Sequence, residues 1–166
     1  METPRTLYLI RHAIAFERGP KWPDDTKRPL TAAGAAKMRR AAKGLVAAGV
    51  KLDLVLSSPL VRARQTADIV VAAFKRPPKI VEAGELAPDQ TADAVAKLLA
   101  SHRQARRVAL VGHEPDLGQF TAWLIGAPRP IPFKKGGTAR LDVPDHLVRG
   151  SGQLVWLATP GLLRKI

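Results

Sequence analysis

The stretch Leu7-Tyr8-Leu9-Ile10-Arg11-His12-Ala13 constrains this chain more than any other. Four apolar residues in a row stop abruptly at an arginine and a histidine. An unbroken apolar run of this length fits a strand buried on both faces, as parallel strands are. In open parallel sheets, ligands sit just beyond the carboxyl ends of the strands. Arg11 and His12 therefore fall where such a fold does its chemistry. The same pair would also serve as an exposed loop beside a core strand, so the rest of the chain has to decide.

The pattern recurs. Residues 52–57 read Leu-Asp-Leu-Val-Leu-Ser and run into Ser58-Pro59-Leu60-Val61-Arg62. Residues 108–112 read Val-Ala-Leu-Val-Gly and run into His113-Glu114-Pro115. Ser58 followed by Pro59 predicts an N-cap and a proline at the first helical position. That helix extends to about residue 74, with Ala63, Ala67, Val70 and Phe74 facing the core. Pro115 opens a helix over 116–125 by the same device. Thr31 caps a helix over 32–48 that Gly49 stops. A short strand is expected at 79–82, then a helix carrying Val95, Leu98, Leu99 and His102.

Residues 138–143 and 153–158 read as two strands of an antiparallel hairpin. Residues 14–30 form a polar loop too long for a simple connection, and residues 126–137 form a second, proline-rich one. Strands alternate with helices and no repeat or linker interrupts them. The expected class is α/β: a three-layer α/β/α domain over 1–166, with a mainly parallel central sheet and a C-terminal antiparallel hairpin.

Composition narrows the functional classes. The chain has 166 residues, 46% of them hydrophobic, which is enough for a real core. It has no cysteine, which excludes disulfide frameworks and zinc–thiolate sites. No leader pattern and no membrane-length apolar stretch is evident, so a cytoplasmic location is expected. The net charge of +13 favours anionic partners: phosphorylated substrates, acidic proteins or nucleic acid. Aromatic residues make up only 5% and do not interleave with the basic ones, so no specific nucleic-acid platform is expected. Most of these charges read as solvated basic faces.

If the three apolar strands lie parallel and adjacent, Arg11-His12, Ser57 to Arg62 and Gly112-His113-Glu114 meet at one sheet edge. That edge then holds two arginines, two histidines and two helix N-termini, a set suited to a tetrahedral dianion. No carboxylate cluster or histidine pair has metal-ligand spacing, so neither metal nor cofactor is expected. Neutral His12 is the candidate nucleophile toward phosphorus, provided a backbone carbonyl holds its other ring nitrogen as a donor. Arg11, Arg62 and His113 would stabilise the equatorial oxygens. Glu85, in the loop after the 79–82 strand, is the candidate proton donor; Glu82, Asp89 and Glu114 are weaker ones.

The residues that carry a family resemblance occur in order over about the first three quarters of the chain. They are Leu9-Ile10-Arg11-His12-Ala13, Arg28-Pro29-Leu30-Thr31 with Gly34, and Ser57-Ser58-Pro59-Leu60-Val61-Arg62-Ala63 with Gln65-Thr66-Ala67. Glu85-Leu86 with Pro88 and Val111-Gly112-His113-Glu114-Pro115-Asp116-Leu117 complete the set. Together they resemble the histidine phosphatase, or phosphoglycerate-mutase-like, superfamily and within it the small SixA-type phosphohistidine phosphatases. The resemblance implies His12 as nucleophile, Arg11, Arg62 and His113 as the phosphate pocket, and Glu85 as proton donor; Glu114, next to His113, is expected among the substrate-binding residues.

The mutase branch has a glycine after the histidine and an asparagine soon after, where this chain has Ala13 and Ile14-Ala15-Phe16-Glu17. It also has long insertions for which this chain lacks room. The expected substrate is therefore phosphohistidine on a partner protein. A small phosphorylated metabolite, suggested by Lys134-Lys135, is the alternative, and a non-enzymatic polyanion-binding module a remoter one.

Other candidates have plainer readings. His102 near its helix end reads as packed or dipole-pairing, His146 as surface, Arg64 as solvated, and Gly136-Gly137 as a turn into a strand. Trp22 and Trp123 are candidates for the pocket mouth and Trp156 for the core.

Overall fold

The computed structural model describes residues 4–166. In chain order its main elements are β1 (Arg5–Arg11), α1 (Ala32–Ala47), β2 (Leu54–Ser57), α2 (Val61–Ala72), β3 (Lys79–Glu82), α3 (Ala92–Ala100), β4 (Arg107–Gly112), α4 (Asp116–Ile125), β5 (Thr138–Val143), β6 (Gln153–Ala158) and α5 (Pro160–Leu163). The strands form one sheet in the order β3-β2-β4-β1-β5-β6. β1 to β4 pair in parallel, while β5 runs antiparallel to both β1 and β6. The expected mainly parallel sheet with a terminal hairpin is what forms.

Helices cover both faces. Leu7 and Leu9 of β1 pack with Leu98 and Leu99 of α3 and with Leu117 and Phe120 of α4. Tyr8 and Ile10 point the other way, among Met38, Ala41 and Leu45 of α1 and Ala67 and Val70 of α2. Successive strand residues face opposite sides, so a strand sandwiched between helices needs an apolar residue at every position. That is the physical origin of the unbroken run at 7–10. Among the described residues, no helix is long and apolar enough to cross a membrane.

Several boundaries differ from expectation. The strand expected from residue 52 begins at Leu54, because the Asp53 carboxylate accepts the Arg106 and Arg107 N–H groups at 3.1 and 2.9 Å. The helix expected to start at Pro59 starts at Val61, with Leu60 at the N-cap and no side-chain cap bond. The Ser58 hydroxyl accepts the Leu60 N–H and also meets His113, so the capping signal yields a turn before the helix rather than its first residue. The four-residue α5 was not foreseen. It rests against α1 at Gly44, where a Cβ would lie 1.8 Å from the Leu163 carbonyl oxygen. Only glycine allows two backbones to approach so closely.

Arg5 anchors the start of β1. Its side chain is fully buried, and its guanidinium donates to the carbonyls of Leu99, His102 and Ala105 at 3.0–3.1 Å. These carbonyls lie at and just beyond the end of α3, so the cation meets the negative end of the helix dipole. Arg5→Met removes the charge and strands three acceptors. The expected cost is about 3 kcal/mol of unfolding free energy, read as a lower midpoint in urea denaturation.

Candidate active site

The carboxyl ends of three parallel strands lie level. Arg11 stands opposite Gly112 in the β1–β4 register, and Ser57 stands opposite Val111 in the β2–β4 register. The pairing continues one residue past the strands, with the His12 N–H bonded to the Gly112 carbonyl at 3.0 Å and the Ser58 N–H to Val111 at 2.9 Å. Arg11-His12, Ser58 and His113 therefore emerge together. From the β5 side, the turn before Thr138 closes on them. The Gly136 N–H bonds the carbonyls of Arg11 and His12 at 3.1 and 3.0 Å, with Gly136 at φ +79°. This is the expected turn into a strand, and it fixes the backbone that carries both site residues.

Arg11, His12, Arg28, Arg62, His113 and Glu114 line a hollow of about 300 Å³, with Phe16, Arg18 and Lys135 at its walls. His12 is 7% exposed, and its Nδ1 lies 2.7 Å from the Ala13 carbonyl oxygen. A carbonyl only accepts, so Nδ1 carries the proton and Nε2 keeps its lone pair. Burial is the main force that lowers the His12 pKa to about 4, with Arg62, Arg11 and Arg28 adding to it. The ring is therefore neutral at ordinary pH, as an imidazole nucleophile requires.

The His113 ring centre lies 5.3 Å from that of His12. Its Nε2 meets the Ser58 hydroxyl at 2.7 Å, and that hydroxyl accepts the Leu60 N–H at 3.2 Å. The hydroxyl keeps a proton to give and a second lone pair, so it pairs with Nε2 in either tautomer, while Nδ1 of His113 is buried without a protein partner. Burial, then His12 and Arg62, lower its pKa to about 3.

Both arginines are gripped at one end. Arg62 donates from Nη1 to the Asp25 carbonyl at 2.9 Å and from Nη2 to the Asp25 carboxylate at 3.1 Å. Arg11 donates from Nη1 to the Phe133 carbonyl at 2.7 Å. The Nε of each is buried with no protein partner. Arg11 Nε, Arg62 Nε and His113 Nδ1 are three buried nitrogens without a protein partner, on side chains that line one hollow. Unpaired buried polar atoms are costly. A group with several acceptor oxygens and negative charge, such as a phosphate, complements that set.

Asp25 and Arg28 escaped the residue-level reading. Arg28 is 7% exposed and donates to the Asp25 carboxylate at 2.8 Å and to the Phe16 carbonyl at 2.7 Å. Asp25 stays ionised, its pKa lowered first by the hydrogen bond from Arg28 and then by Arg62. The long polar loop folds back to supply both. It is held by Phe16 N–H to Pro29 O at 3.0 Å, by Leu30 N–H to Gln65 Oε1 at 2.8 Å, and by close contact of Ile14 with Gly34. Arg28-Pro29-Leu30-Thr31 marked the segment, but nothing local marks Asp25 as the clamp on an arginine 37 residues away.

Other expectations fared differently. Two first-turn donors of α4 are consumed locally: Leu117 N–H bonds the His113 carbonyl, and Gly118 N–H bonds the Glu114 carboxylate at 2.9 Å. The expected help from that helix N-terminus is therefore corrected, since Glu114 already occupies it. Burial raises the Glu114 pKa. Glu85 lines not this hollow but an adjoining cavity of about 420 Å³ that shares His113 as a wall. Glu82 is exposed and pairs with Arg64 at 2.9 Å, and Asp89 is exposed. Trp22 packs on Phe16 at 5.8 Å behind the rim, Trp123 lines the larger cavity, and Trp156 is half-buried against Tyr8. His102 Nδ1 lies 3.0 Å from the Leu98 carbonyl at the end of α3, and His146 is exposed. Among the described residues, no group of three or more His, Cys, Asp or Glu side chains could hold a metal ion.

Residues 7–86 match the family model of the histidine phosphatase superfamily, branch 1. An uncharacterised protein of Picosynechococcus is 40% identical over 116 residues, 69% of each chain. The phosphohistidine phosphatase SixA of Escherichia coli K12 is 28% identical over 160 residues, 93% of each chain. A solved structure of the protein histidine phosphatase SixA complexed with tungstate superposes with a TM-score of 0.84 at 26% identity, covering 95% of this chain and 99% of that one. This chain belongs to the histidine phosphatase superfamily.

Two measurements test the geometry of this histidine phosphatase. Nitrogen-resolved NMR titration is expected to show His12 neutral and protonated on Nδ1 down to about pH 4, below the usual range because the charged form is disfavoured by burial. Asp25→Asn leaves Arg62 less firmly held, and the variant is expected to bind tungstate about tenfold more weakly by calorimetry. Tighter binding would mean that Asp25 merely neutralises charge.

Proposed function

We propose that this histidine phosphatase hydrolyses phosphohistidine on a partner protein through a covalent phosphohistidine on His12, without a metal. One observation carries the reading: a neutral imidazole, pinned through Nδ1, lines one hollow with Arg11, Arg62 and His113, each of which keeps a buried nitrogen without a protein partner.

In the first step, the His12 Nε2 lone pair attacks phosphorus in line and the bond to the leaving group breaks. Charge spreads over the three equatorial oxygens, where Arg11, Arg62 and His113 donate hydrogen bonds. The guanidinium groups supply the positive charge that a metal supplies in other phosphoryl transfers. Glu85 gives the leaving group its proton. In the second step, water attacks phosphorus and passes its proton to the Glu85 carboxylate, the P–N bond to His12 breaks with its electron pair returning to Nε2, and inorganic phosphate leaves.

A leaving imidazole parts from phosphorus more readily than an alkoxide, so a phosphohistidine substrate demands little of Glu85. That suits its position in the adjoining cavity rather than among the arginines. The similarity to SixA over 93% of the chain supports the same substrate class. Lys135 at the wall of the hollow favours the second reading, a small phosphorylated metabolite.

His12→Ala is expected to abolish turnover of an aryl phosphate and of phosphohistidine while the protein stays folded. The wild type is expected to carry an acid-labile, base-stable phosphoryl label that this variant lacks. Full activity without the label rejects the covalent route. Glu85→Gln is expected to slow hydrolysis of an aliphatic phosphate ester about a hundredfold and of phosphohistidine far less. Activity that survives exhaustive chelation supports metal independence. A metabolite panel run beside phosphohistidine-bearing carrier proteins separates the two substrate classes.

A further inference from the structure

We propose that the cavity of about 420 Å³ beside the anion pocket is a specificity subsite, which receives an apolar side chain flanking the phosphorylated residue on an acidic protein substrate. The proposal rests on the phosphohistidine reading above and adds the surroundings of the phosphorylated residue to it.

The cavity and the anion hollow share His113 as a wall, so a substrate whose phosphoryl group sits among the arginines has its neighbouring atoms at the cavity mouth. Its walls are made mainly by α3, α4 and residues 127–130 of the proline-rich loop, to which the catalytic scheme assigns nothing, with Glu85 and His113 also lining it. Phe120 and Trp123 stack with ring centres 6.0 Å apart and planes 14° apart, and Val95 and Pro128 also line the space. Gln90, Asp116 and Gln119 also line it, but the ring and aliphatic surfaces take an aliphatic or aromatic side chain, and the Asp116 and Glu85 carboxylates disfavour a free phosphate. Its size is within the range of preformed ligand sites.

The mouth is braced from both sides. The Gln90 N–H bonds the Asp116 carboxylate at 3.0 Å, and Arg149 bonds the Ala127 carbonyl at 3.2 Å. A cavity held open in this way requires little ordering on binding. Arg129 and Arg149 are exposed where they line it, on a protein whose net charge is +13. Acidic residues around the flanking side chain complement that rim, and the field draws an acidic partner in.

The test uses synthetic dodecapeptides that carry phosphohistidine, with Leu, Phe or Gly at successive flanking positions and acidic or neutral residues beyond. Free phosphohistidine is the reference. The expected result is that one apolar flank with acidic neighbours raises kcat/KM about tenfold over the all-glycine peptide. Ala92→Trp, which fills the cavity from its edge, is expected to abolish that gain and leave free phosphohistidine within twofold of wild type. Trp123→Ala is expected to reduce it in the same way, and Arg129→Glu to reverse the preference for acidic neighbours.

Thermal melts matched to wild type confirm that these variants fold. A gain that survives Ala92→Trp overturns the proposal, as does an equal loss on free phosphohistidine. Failure of the wild type on free phosphohistidine and every peptide, with aryl phosphate still hydrolysed, overturns the substrate reading itself.

Discussion

The parallel register of β1 against β4 is the constraint on which the site depends. It places Arg11 opposite Gly112, so that His12 and His113 leave the sheet side by side. Side chains alternate along a strand, and a slip of one residue would send each to the opposite face. The apolar pattern cannot prevent such a slip here, because both faces of β1 are buried in apolar surroundings. Polar contacts at the strand's two ends do so instead. Arg5 is bound to three carbonyls beyond α3, and Gly136 and Gly137 grip the backbone of Arg11 and His12.

The hollow that results concentrates cations around His12, Arg28, Arg62 and His113, side chains that are themselves buried. Burial and the neighbouring arginines hold His12 and His113 neutral, and each ring is fixed in one orientation by a single partner, Ala13 or Ser58. The arginines are treated likewise. A loop carbonyl takes one terminal nitrogen of each, and Nε keeps no protein partner. Such a site needs little rearrangement to meet an oxyanion, which is where preorganised donors gain their effect. The carboxylates are kept in order around it, with Asp25 clamped between Arg28 and Arg62 and Glu114 on the first turn of α4.

What could be read beforehand follows how local each signal is. β1, β2 and β4 were legible because burial on two faces demands continuous apolar runs, and α1 because Thr31 and Gly49 mark its ends. Arg11, His12, Arg62 and His113 were legible because each follows or closely trails such a run. The start of α2 was misplaced because Ser58, a good cap by local rules, caps a turn before the helix and also meets His113 from another strand. The α4 N-terminus was misjudged because Glu114, four residues before Gly118, turns back onto it. Asp25 was missed because its importance lies in partners that only the folded loop brings near.

By itself, then, the sequence determined the alternation of strands and helices, the arginines and histidines that gather at one hollow, and the family to which they point. Periodicity, caps and charged residues at strand ends are properties of short segments, and short segments can be read. Only the tertiary structure decided which tautomer His12 adopts, which ends of Arg11 and Arg62 are already engaged, and that Glu85 faces a separate apolar cavity beside His113. Each of these depends on distances between residues far apart in the chain, and such distances are set by the packing of the whole core.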